Sequence, residues 1–247
     1  MQEAVRMGNL YLGEFIGTMI LILLGDGVVA NVVLEKSKGH GGGWIVITTG
    51  WAMAVVFGVG AAIMAGSPYA FINPAVAIAL VAAGQVPLSA AEVVGCIIAE
   101  ILGAFVGAVL VFLAYYSHFA ETKDPTPKLG TFSTIPQIRN LGLNMLTEII
   151  GTFMLVFGVM VISKGIQPPA GLAPVLVGLL VLSIGLSLGG PTGYAINPAR
   201  DLGPRLAHAI LPIPGKGSSD WSYGLTVPII GPIIGGLLGA FVALAVL

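Results

Sequence analysis

Charge is what this sequence has least of. Asp, Glu, Lys and Arg make up only 9% of its 247 residues, where a soluble globular domain carries about 25%, so a water-facing surface of ordinary size is excluded. The net charge of −1 offers no basic face to nucleic acid or another polyanion. With Cys96 as the single cysteine, no intrachain disulfide can form. It lies in an apolar segment and reads as a small core residue. The three histidines, His40, His118 and His208, do not cluster in sequence, so no metal site is expected. A Gly-rich phosphate loop, a nucleophile elbow and a metalloprotease helix are all missing. No catalytic residue and no cofactor are therefore expected, and the chain does not read as an enzyme.

What the chain does have is apolar length: 56% hydrophobic residues, a mean hydropathy of +1.00 and 36 glycines. That composition describes an all-α integral membrane protein whose helices approach closely through small residues. Stretches long enough to cross a hydrocarbon core of about 30 Å run from Leu10 to Leu34, Trp44 to Gly66, Ala90 to Tyr116, Leu141 to Ser163, Ala170 to Leu188 and Tyr223 to Leu247. The first has no small-residue cleavage site and reads as a retained span rather than a signal peptide. Residues 118–140 form the longest polar connection, and Pro125, Pro127 and Pro136 argue against a helix there.

Two short segments break the pattern. Asn73-Pro74-Ala75 precedes an apolar run, Val76 to Ala83, too short to span, and Asn197-Pro198-Ala199 opens an equally short segment, Pro198 to about Leu211, that carries Arg200, Asp201 and Arg205. Asparagine followed by proline is a helix opening, because proline in the first turn wastes no donor and asparagine caps. Two re-entrant half-helices are expected. Glu14-Phe15-Ile16-Gly17-Thr18 is answered by Glu148-Ile149-Ile150-Gly151-Thr152, and Leu102 to Val106 by Leu238 to Val242. Together with the two triplets these matches occur in the same order, at offsets of 134, 124 and 136. The chain thus reads as one domain, 1–247, of two halves, 1–117 and 141–247, joined by 118–140. With three crossings in each half the repeats are inverted, and the half-helices meet near the midplane with positive dipole ends facing.

That geometry suggests a passage. Asn73 and Asn197, anchored by their own backbone neighbours, would aim amide donors at one water or hydroxyl, and the dipole ends would repel cations and protons. Arg200, one turn beyond Asn197, is expected on the passage wall. Asp201 and Arg205, four apart, suit a structural ion pair. Glu14 and Glu148 suit scaffolding of the unwound loops, and Glu100 is expected to face the bundle.

The paired Asn-Pro-Ala motifs, the Glu-x-x-Gly-Thr opening of both halves and the run from Asn197 to Arg205 resemble the aquaporin/major intrinsic protein family across essentially the whole chain. Asp201, Gly185 and an aromatic residue at 194 resemble its glycerol-facilitator (aquaglyceroporin) branch. The resemblance implies a multi-pass cell-membrane protein with cytoplasmic termini, a homotetramer with one pore per subunit, and passive passage of water, glycerol and other small neutral solutes. By position it implies a selectivity filter of Arg200, Tyr194, Gly185 and Met53, the residue twenty before Asn73, with Trp51 or Val56 as alternatives. Backbone of Tyr69, Ala70, Phe71, Gly193 and Ala195 would line the pore, and Asp201 would join Glu14 and Glu148 in support. Glycine at 185 would leave a gap beside Arg200, and Tyr194 would wall a carbon backbone. Met53 and Tyr194 depart from the usual tryptophan and phenylalanine, which admits other neutral solutes: protonated lactic acid, dihydroxyacetone or urea. A coupled secondary transporter is the alternative of a different class, with Glu14 and Glu148 as its only ion-binding carboxylates. The family topology puts most lysines outside and Arg6 and Lys164 inside, opposite to the positive-inside tendency.

Overall fold

A computed structural model of the chain describes residues 2–169 and 171–247, with side chains from Met7 onward. Ala170, the expected start of the fifth span, and the Arg6 side chain lie outside the described residues. The elements, in order, are α1 Gln2–Val33, α2 Trp44–Met64, α3 Pro74–Ala82, α4 Ala90–Ala114, α5 Tyr116–Glu121, α6 Pro125–Phe132, α7 Leu141–Met160, α8 Ala173–Leu188, α9 Pro198–Ile210, α10 Trp221–Gly224 and α11 Val227–Val246. Past Met160 the backbone continues to Ile166 with the wider turns of a π-helix, closed by Gln167 at φ 48°. No strand occurs among the described residues. Five helices are long and apolar enough to cross a membrane, counting α7 through Ile166 and α10 with α11. The remaining expected span, the fifth in chain order, is α8, with 16 residues, about 24 Å at 1.5 Å per residue.

The polar connection is more ordered than its prolines suggested. Pro125 sits at the start of α6, where a missing donor costs nothing, and the Asp124 carboxylate caps the turn from Thr126 N at 2.8 Å. Proline argues against helix interiors, not helix starts.

Packing repeats between the halves. Helix α1 lies against α2 and α4, α7 against α8 and α11, and α2 against α8 across the halves; the half-helices α3 and α9 pack on α11 and α4. Glycine makes the long contacts possible. A Cβ on Gly103 would stand 2.2 Å from Phe15 O and one on Gly107 2.5 Å from Met19 O; Gly235 and Gly239 meet Ile149 O and Phe153 O at 2.2 and 2.5 Å. Phe15 and Ile149, like Met19 and Phe153, are related by 134, but the glycines facing them are related by 132. The Leu-Gly-Ala-Phe-Val match at 136 is therefore one helical turn out of structural register, because Gly103 and Gly107 in α4 and Gly235 and Gly239 in α11 share a spacing of four.

Candidate functional site: two facing half-helices and the lane beside them

Each half-helix is capped by its own asparagine. Asn73 Oδ1 accepts from Ala75 N at 2.9 Å, and Asn197 Oδ1 accepts from Ala199 N at 3.0 Å and Arg200 N at 3.2 Å. The amide nitrogens then cross over. Asn73 Nδ2 donates to Ile196 O at 2.8 Å and Asn197 Nδ2 to Ile72 O at 2.7 Å. The half-helix openings thus meet, as the motif spacing suggests, but one N–H of each amide is spent on the opposite loop. A primary amide has two N–H donors, so one per asparagine is left for the lane.

Two buried carboxylates hold the loops behind these caps. Glu14 accepts from Ser67 Oγ at 2.6 Å, Phe71 N at 3.0 Å and Ile72 N at 2.7 Å. Glu148 accepts from Thr192 Oγ1 at 2.6 Å, Ala195 N at 3.0 Å and Ile196 N at 2.8 Å. Both loops need such support, since Ala70, Ile72, Tyr194 and Ile196 all have φ between 39° and 45°, a region unfavourable to side chains and most so to β-branched ones. The rest of the shared motif now has reasons. A Cβ on Gly17 would stand 2.7 Å from Ile72 Cγ2, and one on Gly151 3.0 Å from Ile196 Cγ2. Thr18 and Thr152 return their hydroxyls to Glu14 O and Glu148 O at 2.7 and 2.8 Å. Glu100, buried as expected, accepts from Asn73 N at 3.0 Å.

Beside the asparagines runs a cavity of about 370 Å³, called inner after the sidedness that the family resemblance implies, lined by Tyr69, Ala70, Phe71, Asn73, Ala195 and Asn197 among others. An outer cavity of about 470 Å³ is lined by Gly193, Gly190, Thr134 and the tip of α6. Among the described residues only Trp51, Tyr194 and Arg200 line both, so the narrow joint between the cavities lies there. The Arg200 guanidinium carbon stands 4.3 Å over the Trp51 ring, and Nη1 donates to Phe132 O at 3.3 Å. A cation against an aromatic face in a desolvated site gains about 2 kcal/mol, which holds the guanidinium in place.

Two of the four expected filter residues are elsewhere. Met53 is 45% exposed and lines neither cavity. Trp51 occupies the expected place, because residues two apart on a helix point roughly 200° from each other. The count of twenty back from Asn73 lands on Met53, whereas Trp51, one of the two alternatives, lies twenty-two before it. Gly185 also lines neither cavity. A Cβ there would stand 2.8 Å from Tyr194 Cζ and 2.9 Å from Thr48 Cγ2, so its missing side chain makes room for the tyrosine ring rather than for solute. Trp44 steadies that ring edge-on at 5.7 Å and donates to Gly185 O at 2.9 Å.

Asp201 and Arg205 form the expected pair, Nε to Oδ1 at 2.7 Å with both side chains fully buried. Asp201 Oδ2 also accepts from Thr134 N and Oγ1, while Arg205 reaches Ser219 O and Thr134 O. Together they tie α9 to two outer loops. Sequence reasoning did not single out Asp26, buried in α1 with Oδ1 3.9 Å from Arg200 Nη1. An acid inside an apolar run was the available signal.

The model of the family described as "Major intrinsic protein" matches residues 2–243. The chain belongs to the major intrinsic protein family. Within that family it is 63% identical over 232 residues, 94% of this chain and 97% of the relative, to the "Probable glycerol uptake facilitator protein" of Thermotoga maritima. It is 56% identical over 229 residues, 93% of each chain, to "Glycerol uptake facilitator protein 3" of Lactiplantibacillus plantarum. Among solved structures it resembles the aquaglyceroporin from Plasmodium falciparum at 28% identity and TM-score 0.83, covering 95% of this chain and 94% of that one. The architecture is the aquaporin fold, and the protein is a multi-pass membrane protein.

Proposed function

We infer that this chain is a passive channel for glycerol and other small uncharged solutes, water included. The observation that carries it is the joint between the cavities. There the Arg200 guanidinium, seated over the Trp51 ring, presents fixed N–H donors, and Trp51 and Tyr194 supply aromatic carbon beside it. A polyol has hydroxyls along one edge and C–H groups along the other, so it matches a lining that offers both. Relatives named as glycerol uptake facilitators support the reading.

Trp51, Tyr194 and Arg200 are proposed as the filter, Asn73 and Asn197 as the central donors, and Glu14, Glu148 and Asp201 as the supports. The two halves, 1–117 and 141–247, are proposed to work as one inverted-repeat domain, with 118–140 closing the outer mouth. Four copies, each with its own lane, are proposed to assemble, as the family resemblance implies; the mass of the detergent-solubilised particle tests that number. Stopped-flow light scattering of proteoliposomes under a glycerol gradient tests the function. Faster re-swelling than in protein-free vesicles is expected, and equal rates would overturn it.

A further inference from the structure

The walls described so far are positive: two half-helix openings and, among the inner cavity's described lining residues, Arg200 as the one charged side chain. Such a lane repels cations, but by the same field it attracts anions. Among the described residues Arg205 pairs with Asp201, and Arg200 lies against Asp26. Asp201 is engaged by Arg205 and Thr134, which leaves Arg200 to Asp26.

Asp26 has no exposed side-chain area, and neither carboxylate oxygen has a hydrogen-bond partner among the described residues. Structural acids in this protein look different, since Glu14 and Glu148 each accept three hydrogen bonds. Asp26 sits behind the joint, next to Gly25, where a Cβ would stand 2.3 Å from the Trp51 ring. At 3.9 Å it is too far to hydrogen-bond Arg200. It therefore offsets the guanidinium's charge without occupying the donors a solute needs. The repeat supplies an internal control. The offset of 134 that relates Glu14 to Glu148 carries Asp26 to Met160, and the offset of 124 carries Arg200 back to Val76. The pair is thus formed across the halves, acid from one and arginine from the other, and the repeat-related pair, Met160 with Val76, has neither charge.

We propose that Asp26 is a specificity-determining residue that balances Arg200 from outside the lane, so that the filter keeps its donors for neutral solutes and does not admit small anions. The proposal rests on the channel reading above. Its test measures chloride influx, with a halide-quenched dye inside the vesicles and potassium plus valinomycin carrying the counter-charge, beside glycerol flux in the same proteoliposomes. Asp26→Asn, and Asp26→Val as an apolar replacement, are expected to raise the chloride-to-glycerol ratio on the order of tenfold, the effect of one unit charge a few ångströms from a passing anion. In an Arg200→Val background, Asp26→Asn is expected to change the ratio by less than about twofold, because a buried acid with no hydrogen-bond partner and no neighbouring cation takes up a proton and has no charge left to remove. A wild-type ratio in both single variants, or an equal rise without Arg200, overturns the proposal. So does failure of both variants to yield a monodisperse protein, which would make Asp26 a folding residue. Absence of glycerol flux in the wild type would instead overturn the channel reading itself.

Discussion

Replacing Glu148 by glutamine tests what holds the second half-helix in place. The carboxylate accepts from Thr192 Oγ1 and Ala195 N through one oxygen and from Ile196 N through the other. A glutamine carbonyl can keep the first two, but its NH₂ then faces the Ile196 N–H, donor against donor. Two buried groups lose their partners at about 1–3 kcal/mol each. Ile196, with φ 42°, also loses the bond that offsets its strain, about 1–2 kcal/mol. The sum is roughly 3–8 kcal/mol, which at 2–4 °C per kcal/mol for a chain of this size lowers the melting temperature by about 6–32 °C. Thermal unfolding in detergent, followed by tryptophan fluorescence, reads the shift, and glycerol flux is measured on the protein that survives. A shift under about 2 °C with flux retained would refute the scaffold role. If stability held while flux alone became insensitive to an imposed proton gradient, Glu148 would be a proton carrier instead.

Trp51→Ala is expected to widen the joint and raise the permeability of five- and six-carbon polyols relative to glycerol, whereas Met53→Ala leaves the ratio at the wild-type value; uptake of the polyol series separates them. Removing Arg205 by methionine leaves Asp201 buried without its cation, at about 3–5 kcal/mol, and the melting temperature reports the loss. A Gly103→Val substitution drives a side chain into Phe15 O and is expected to abolish monodisperse protein, as Gly235→Val is against Ile149 O; size-exclusion chromatography checks both. Outside the membrane, the Lys36 side chain, hydrogen-bonded to Glu121 at 2.5 Å, lowers that carboxylate's pKa from its ordinary value of 4.5. Its stabilisation is thus present above that value and lost as pH falls through the folded pKa. The melting temperatures of wild type and Glu121→Gln are expected to differ slightly at neutral pH and to converge below it, with the difference also reduced by salt.

Much of the fold was legible because its strongest signals are local. Asparagine before proline announces a capped helix start, and apolar runs bounded by loops announce spans. The Glu-x-x-Gly-Thr repeat marked both scaffolds, although the hydroxyls of Ser67 and Thr192 that complete them carry no pattern of their own. What escaped depends on angles and on space. Met53 and Trp51 differ by two positions in sequence but face opposite ways on α2, and counting across a connection of unknown length cannot separate them. Gly185 reads as an opening until the Tyr194 ring is seen to fill it. The turn of slip between α4 and α11 arises because a pair of glycines four apart in each helix matches at more than one offset. Asp26 was visible as an acid in an apolar run, but only the fold brings it to Arg200, far along the chain.

The crossed bonds from Asn73 to Ile196 O and from Asn197 to Ile72 O have a mechanical consequence. They bolt the two loops to each other at mid-depth, so neither half can swing without breaking both at once. A rocking carrier that exposes its cargo to one side and then the other is hard to build on such a rivet. Any control of throughput is therefore better sought at the two mouths than at this waist.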